Sequence, residues 1–195
     1  MNLFRTTAVA ALIAGSVGLA GAAIAQDKTF TIGVSVPTAD HGWTGGVDFF
    51  AQQAVDRLGK AYPNLKFVLA TAPDSTKQAA DLEDMVTTRK IDALVILPGD
   101  PDAMTASIKK VKDAGKWVTV IDRQLSQPGI EDLYVAGDNP GLGATTADYF
   151  KKALPNGGNI VVLRGLPIPI DKQRVDAFTL ASPKRLIRPP VHLYT

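Results

Sequence analysis

The chain has 195 residues, 21 basic against 19 acidic side chains, and no cysteine. That length supports one good hydrophobic core, or one lobe and part of a second. Lack of cysteine excludes disulfides and Cys-ligated metals, the two histidines, His41 and His192, lie too far apart for metal-ligand spacing, and the near-neutral charge gives no electrostatic case for nucleic acid.

The first residues set the compartment. Met1-Asn2-Leu3-Phe4-Arg5 is a short basic start, an apolar Gly/Ala-rich stretch follows, and Ala23-Ile24-Ala25 precedes Gln26. This predicts a bacterial secretory signal peptide over residues 1–25, cleaved after Ala25, rather than a membrane anchor. The mature chain is then expected in the periplasm. No cysteine stands at its start, so a lipoprotein anchor is not supported.

From there, short β-branched runs alternate with helical patterns. Residues 30–36 predict a strand. Residues 44–58 predict a helix with Val47, Phe50, Ala51, Ala54, Val55 and Leu58 on its buried face. Residues 66–70 predict a second strand, and Ser75-Thr76-Lys77-Gln78 reads as a capping box opening a helix to about Arg89. A third strand falls at residues 93–97. Asp100-Pro101 caps a helix over residues 103–114, stopped by Gly115. Residues 117–121 predict a fourth strand. Repeated βα units with short connections imply a parallel sheet with helices on both faces, flavodoxin-like or Rossmann-like.

A second series is expected after a loop over residues 124–129. Residues 133–137 predict a strand, Asp138-Asn139-Pro140 caps a helix to about Ala153, residues 159–163 predict another strand, and a helix starts at Asp171. From Leu180 the pattern fails. Pro183 ends any helix, and Pro189-Pro190 forbids a central strand nearby.

Loops leaving the C-terminal ends of strands carry the polar residues worth weighing, because ligands of open parallel sheets bind there. Val118-Thr119-Val120-Ile121 runs straight into Asp122-Arg123-Gln124. An acid beside a planar fork of donors suits vicinal sugar hydroxyls, each of which donates and accepts. The pair could equally be an ion pair holding a loop. In Asp40-His41-Gly42-Trp43, Trp43 could lie against the C–H face of a sugar, or pack the helix end as a staple. Asp40 and His41 could form an acid–base pair, but no Ser or Cys nucleophile is placed with them, which argues against an enzyme. Gly137, Gly141 and Gly143 mimic a phosphate-binding turn without the G-x-G-x-x-G spacing or a following Lys-Ser/Thr. Asp138 and Asn139 most simply cap a helix, and Asn139 can also face the crevice. Arg174 points either toward the cleft or into solvent.

Taken together, the signal peptide, the polar-aromatic first loop, Val-Ile-Asp-Arg-Gln, Gly-Asp-Asn and a helix bearing Arg-x-x-x-Phe resemble, in that order, the periplasmic sugar-binding proteins of the ribose-binding type. These share their fold with the sensor domain of lactose-repressor-like regulators. The resemblance covers about residues 28–178. It implies a periplasmic-binding-protein-like α/β fold: an N-terminal sugar-binding lobe over 26–128, nearly complete; a partial C-terminal lobe over 129–179; and a divergent tail over 180–195. It further implies the sugar-binding role of an ABC importer, a pentose or hexose ligand, a permease in the inner membrane as partner, no cofactor, and a monomer when intact. Asp122 and Arg123 match the family's hydroxyl-binding pair, Asn139 its Asp-Asn element, and Arg174 its second-lobe arginine; Trp43 falls where stacking aromatics usually stand. The first loop departs from the ribose-type Asn-Asn-Pro-Phe-Phe pattern, so the sugar need not be ribose. The family's later ligand groups, an Asn, an Asp and a Gln, are missing, and a truncation with a shifted frame near Thr179 is the expected reason.

Three rivals differ in class. A regulator would carry a helix-turn-helix where this chain has its apolar leader. A Rossmann-type enzyme would need a nucleotide fingerprint after the first strand, where only Gly42 stands. A non-binding fragment would be separated from the transport reading by binding measurements; beside these rivals, a periplasmic sensor presenting sugar to a chemoreceptor stands as an alternative role for the same binding.

Overall fold

The computed structural model describes residues 28–182. The expected signal peptide and most of the expected tail lie outside the described residues. The order is β1 (Phe30–Pro37), α1 (Gly42–Ala61), β2 (Leu65–Ala72), α2 (Ser75–Thr87), β3 (Ala93–Ile96), α3 (Pro101–Asp113), β4 (Trp117–Ile121), β5 (Leu133–Val135), α4 (Asn139–Ala153) and α5 (Pro169–Ala181). The strands pair in parallel in the order β2-β1-β3-β4-β5. This is the flavodoxin-like order, with its switch point between β1 and β3. One assignment changes. The strand expected to open the second series is β5 of this first sheet, with Leu133 opposite Thr119 and Val135 opposite Ile121.

Alternation along the strands sorts the core. Leu94, Ile96, Val118 and Val120 are buried on one face and meet Leu82, Met85, Met104, Ile108 and Val111 from α2 and α3. Each such side chain contributes roughly 1.5–3 kcal/mol of burial. Helix α1 lies on the other face, over β1 and β2, where Gly59 approaches Phe67. Beyond it on that face Trp117, Leu133 and Val135 are about half exposed. The narrow footprint of α1 also explains Phe50, which periodicity placed inside: it is 65% exposed, because its flank of the helix has no strand to cover it.

Local cap chemistry positions the helix starts. Helix α1 begins two residues before the predicted start because His41 caps it, Nδ1 accepting from the Thr44 N–H at 3.2 Å. Asp74 caps α2, accepting from the Lys77 N–H at 2.8 Å, in place of the predicted Ser75 box. Gln78, read as the end of that box, turns inward instead. Its amide donates to Ser35 Oγ at 3.1 Å and to the Leu97 carbonyl at 2.9 Å, and accepts from the Gly99 N–H at 2.8 Å. A buried amide used on both sides costs little and ties the ends of β1 and β3 together. Asp100 and Pro101 open α3 as expected, and Gly115, at φ 75°, follows its end. Asp138 caps α4 through the Gly141 N–H at 2.8 Å. Helix α5 starts at Pro169, before the predicted Asp171. Residues 159–163, predicted as a strand, form none. Val161 and Leu163 there are 66% and 74% exposed, and no described strand lies beside them to take their backbone groups.

Candidate functional site

A cavity of about 1030 Å³ opens beyond the carboxyl ends of β1 and β4. One wall carries His41, Trp43, Asp122 and Arg123; the other carries Asn139 and Thr146 on α4, Arg174 and Phe178 on α5, and the extended segment around Val161. The volume lies at the upper end of the roughly 300–1,000 Å³ usual for small-molecule sites. Of the seven residues selected from the sequence, six line this cavity. Asp40 does not.

The two walls are built differently. On the first, Ile121, the last residue of β4, hands the chain to a tight turn. Asp122 sits at φ 61°, uncommon for any residue but glycine though tolerated best by Asp and Asn. Asp122 and Arg123 do not pair with each other, which removes the ion-pair alternative. The Trp43 indole N–H donates to Asp122 Oδ2 at 3.2 Å. Arg123 donates through Nη1 to the Pro98 carbonyl at 3.3 Å and to the Gly99 carbonyl. Those bonds fix the guanidinium while leaving its other N–H groups for a ligand. Trp43 is no staple: it is 58% exposed, faces the cavity and reaches across from α1 to the loop after β4.

Asp40 and His41 serve the start of α1. The Thr44 hydroxyl donates to Asp40 Oδ1 at 2.6 Å and holds that carboxyl below the usual carboxylate range, with nearby His41 adding to the effect. Because His41 Nδ1 accepts the cap hydrogen bond, the neutral ring carries its proton on Nε2.

On the second wall, residues 35 apart in sequence meet. Arg174 Nε donates to Asn139 Oδ1 at 2.8 Å. Asn139 is 4% exposed, so its side chain is aimed and held rather than solvated. Two of the three glycines that mimicked a phosphate turn have packing reasons, whereas Gly137 has open space where a Cβ would go. A Cβ on Gly143 would fall 2.2 Å from the Arg174 carbonyl, so this glycine lets α4 and α5 cross closely. A Cβ on Gly141 would strike the capping carboxylate of Asp138. Phe150 and Phe178 meet edge to face below the polar rim, an apolar floor that sequence reasoning missed; only their placement late in consecutive helices pointed to it. Asp171, also on the cavity, is pushed up by burial, but the Arg164 guanidinium and the Gly165 N–H outweigh that and leave it below its usual range. Among the described residues no group of acidic or histidine side chains could hold a metal ion.

The arrangement is a slot with an aromatic face, carboxylates that include Asp122 and Asp171, two arginines and a buried amide, and among the described residues no aligned nucleophile. It can hydrogen-bond several hydroxyls of one small ligand. Comparisons with known proteins identify the family. The periplasmic binding protein domain family matches residues 32–180. The ribose import binding protein of Bacillus subtilis is 31% identical over 142 residues, covering 72% of this chain and 44% of that protein. The ribose import binding protein of Escherichia coli is 28% identical over 166 residues, covering 85% of this chain and 53% of that one. An ABC transporter solute-binding protein from Mycobacterium smegmatis, solved with bound glycerol, superposes with a TM-score of 0.69 at 27% identity, covering 84% of this chain and 55% of that chain. The chain thus spans about half the length of the curated relatives it matches.

Proposed function

The chain belongs to the periplasmic binding protein domain family, and from that premise we propose that its cavity binds a pentose or hexose for an ABC-type importer. The observation that carries the reading is the convergence of Trp43, Asp122, Arg123, Asn139 and Arg174 on one cavity from four parts of the chain. Trp43 offers its ring to the C–H face of the sugar. Asp122 accepts from two hydroxyls while Arg123 and Arg174 donate to their oxygens, and the Arg174–Asn139 bond orients the second arginine. The role is binding and release, without a catalysed step. The first lobe ends after Val135 and the second begins with α4, so binding closes two walls over the sugar. The working compartment is the periplasm, the partner an inner-membrane permease.

The test is an NMR titration of the purified chain against a panel of pentoses and hexoses, which reads weak as well as tight binding. One sugar should saturate and shift Trp43 and the residues around Asp122. Asp122→Ala should weaken that sugar about tenfold or more, the loss of ~1.4 kcal/mol expected when a charged hydrogen-bond partner is removed. A panel in which no sugar saturates would overturn the proposal.

A further inference from the structure

The turn that presents Asp122 and Arg123 is strained, and its restraint comes from outside the cavity. The Arg123 N–H donates to the Ile121 carbonyl at 2.7 Å, closing a three-residue turn around Asp122 at φ 61°. A γ-turn with positive φ at its centre is rare because the conformation is costly, and it persists only where surroundings hold it. Two successive residues of β5 do so. The Asp122 N–H donates to the Val135 carbonyl at 2.8 Å, and the Tyr134 hydroxyl donates to the Asp122 carbonyl at 2.6 Å. Neither Tyr134 nor Val135 lines the cavity. The ring of Tyr134 packs against the core under α2 and α3, so its hydroxyl is aimed from a fixed base.

We propose that Tyr134 is a positioning residue for ligand binding: its hydroxyl holds the strained turn that splays Asp122 toward Trp43 and Arg123 toward the end of β3. The inference rests on the sugar-binding reading above. Without that hydrogen bond the Asp122 carbonyl loses its partner, and the turn is free to relax toward negative φ. Relaxation swings the carboxylate away from the indole N–H and withdraws the guanidinium from the Pro98 and Gly99 carbonyls. Both ligand-facing groups are lost by one change behind them. Burial, then the negative charges of Asp122 and Glu131, push the Tyr134 phenol above its ordinary value, so the hydroxyl remains a donor at any pH where the protein works.

The test uses Tyr134→Phe, which keeps the packed ring and removes only the hydroxyl. The chain has two tryptophans, so a Trp117→Phe background leaves Trp43 as the sole reporter. Tyr134→Phe should preserve the far-ultraviolet circular dichroism while moving Trp43 emission to that of Asp122→Ala. It should also weaken sugar binding about tenfold, a misplacement penalty comparable with losing the contact. Trp43 emission and affinity unchanged from the background would overturn the proposal. A background chain that binds no sugar sinks the sugar reading alone, because the emission comparison still decides whether Tyr134 positions Asp122. Should Tyr134→Phe fail to fold, amide exchange of Arg123 in the unsubstituted chain decides: protection supports a held turn, and exchange at the free-chain rate overturns it.

Discussion

Asp122 does three things at once: it takes the chain out of β4, bends it through positive φ, and offers a carboxylate to Trp43. These roles separate by substitution. Asp122→Ala and Asp122→Gly both remove the carboxylate, but only glycine accepts positive φ without a steric cost. Asp122→Ala should therefore be less stable than Asp122→Gly by about 1–2 kcal/mol in urea unfolding, while both lose sugar affinity alike. Equal stabilities would mean that the turn relaxes freely and stores no strain. The Asp-Arg dipeptide was visible in the sequence as a polar pair at a strand end. Its geometry was not, since a torsion angle set by Tyr134 and Val135 leaves no mark on residues 122 and 123.

Among the helices, glycine separates two kinds of packing. Gly46 in α1 has open space where a Cβ would go, whereas Gly143 in α4 meets the backbone of α5. Gly46→Ala should raise stability by roughly 0.5–1 kcal/mol by removing glycine's entropic cost in a helix. Gly143→Ala should lower it by roughly 1–3 kcal/mol, because two helix backbones must move apart. The same shift should part Arg174 from Asn139 and weaken ligand binding. Thermal unfolding of both variants is the check, and a Gly143→Ala chain as stable as its parent would refute the close crossing. Helix starts were largely legible, because a cap is a short-range contact: Asp100 and Asp138 cap where the sequence placed them. Asp74 displaced Ser75 by one residue, and Gln78 left the expected box for the core, where three partners from β1 and the loop after β3 were waiting.

Across the whole molecule, the two walls of the cavity touch through side chains at Gln124 and Gln173, whose amides meet at 3.1 Å. Each is the sequence neighbour of a cavity arginine, Arg123 or Arg174. The contact should therefore report how the walls stand relative to one another. A Gln124→Cys/Gln173→Cys chain has no other thiol, and a short bis-maleimide should join the pair within one molecule. A bound sugar that favours the closed arrangement should raise the yield, since a ligand shifts the population of the state it binds better. A failure to cross-link within the monomer would mean that the walls do not meet there.

The sequence by itself determined the parallel α/β class, the succession of strands and helices apart from the strand expected over residues 159–163, and the loops that carry the polar residues. These follow from periodicity and cap chemistry, which act over a few residues. Tertiary structure decided which sheet takes residues 133–135, that residues 159–163 have no strand partner, and that Asn139 finds Arg174. It also decided that Asp122 and Arg123 point apart. Each of these depends on partners distant in the chain, whose positions are set only when the sheet and helices have packed.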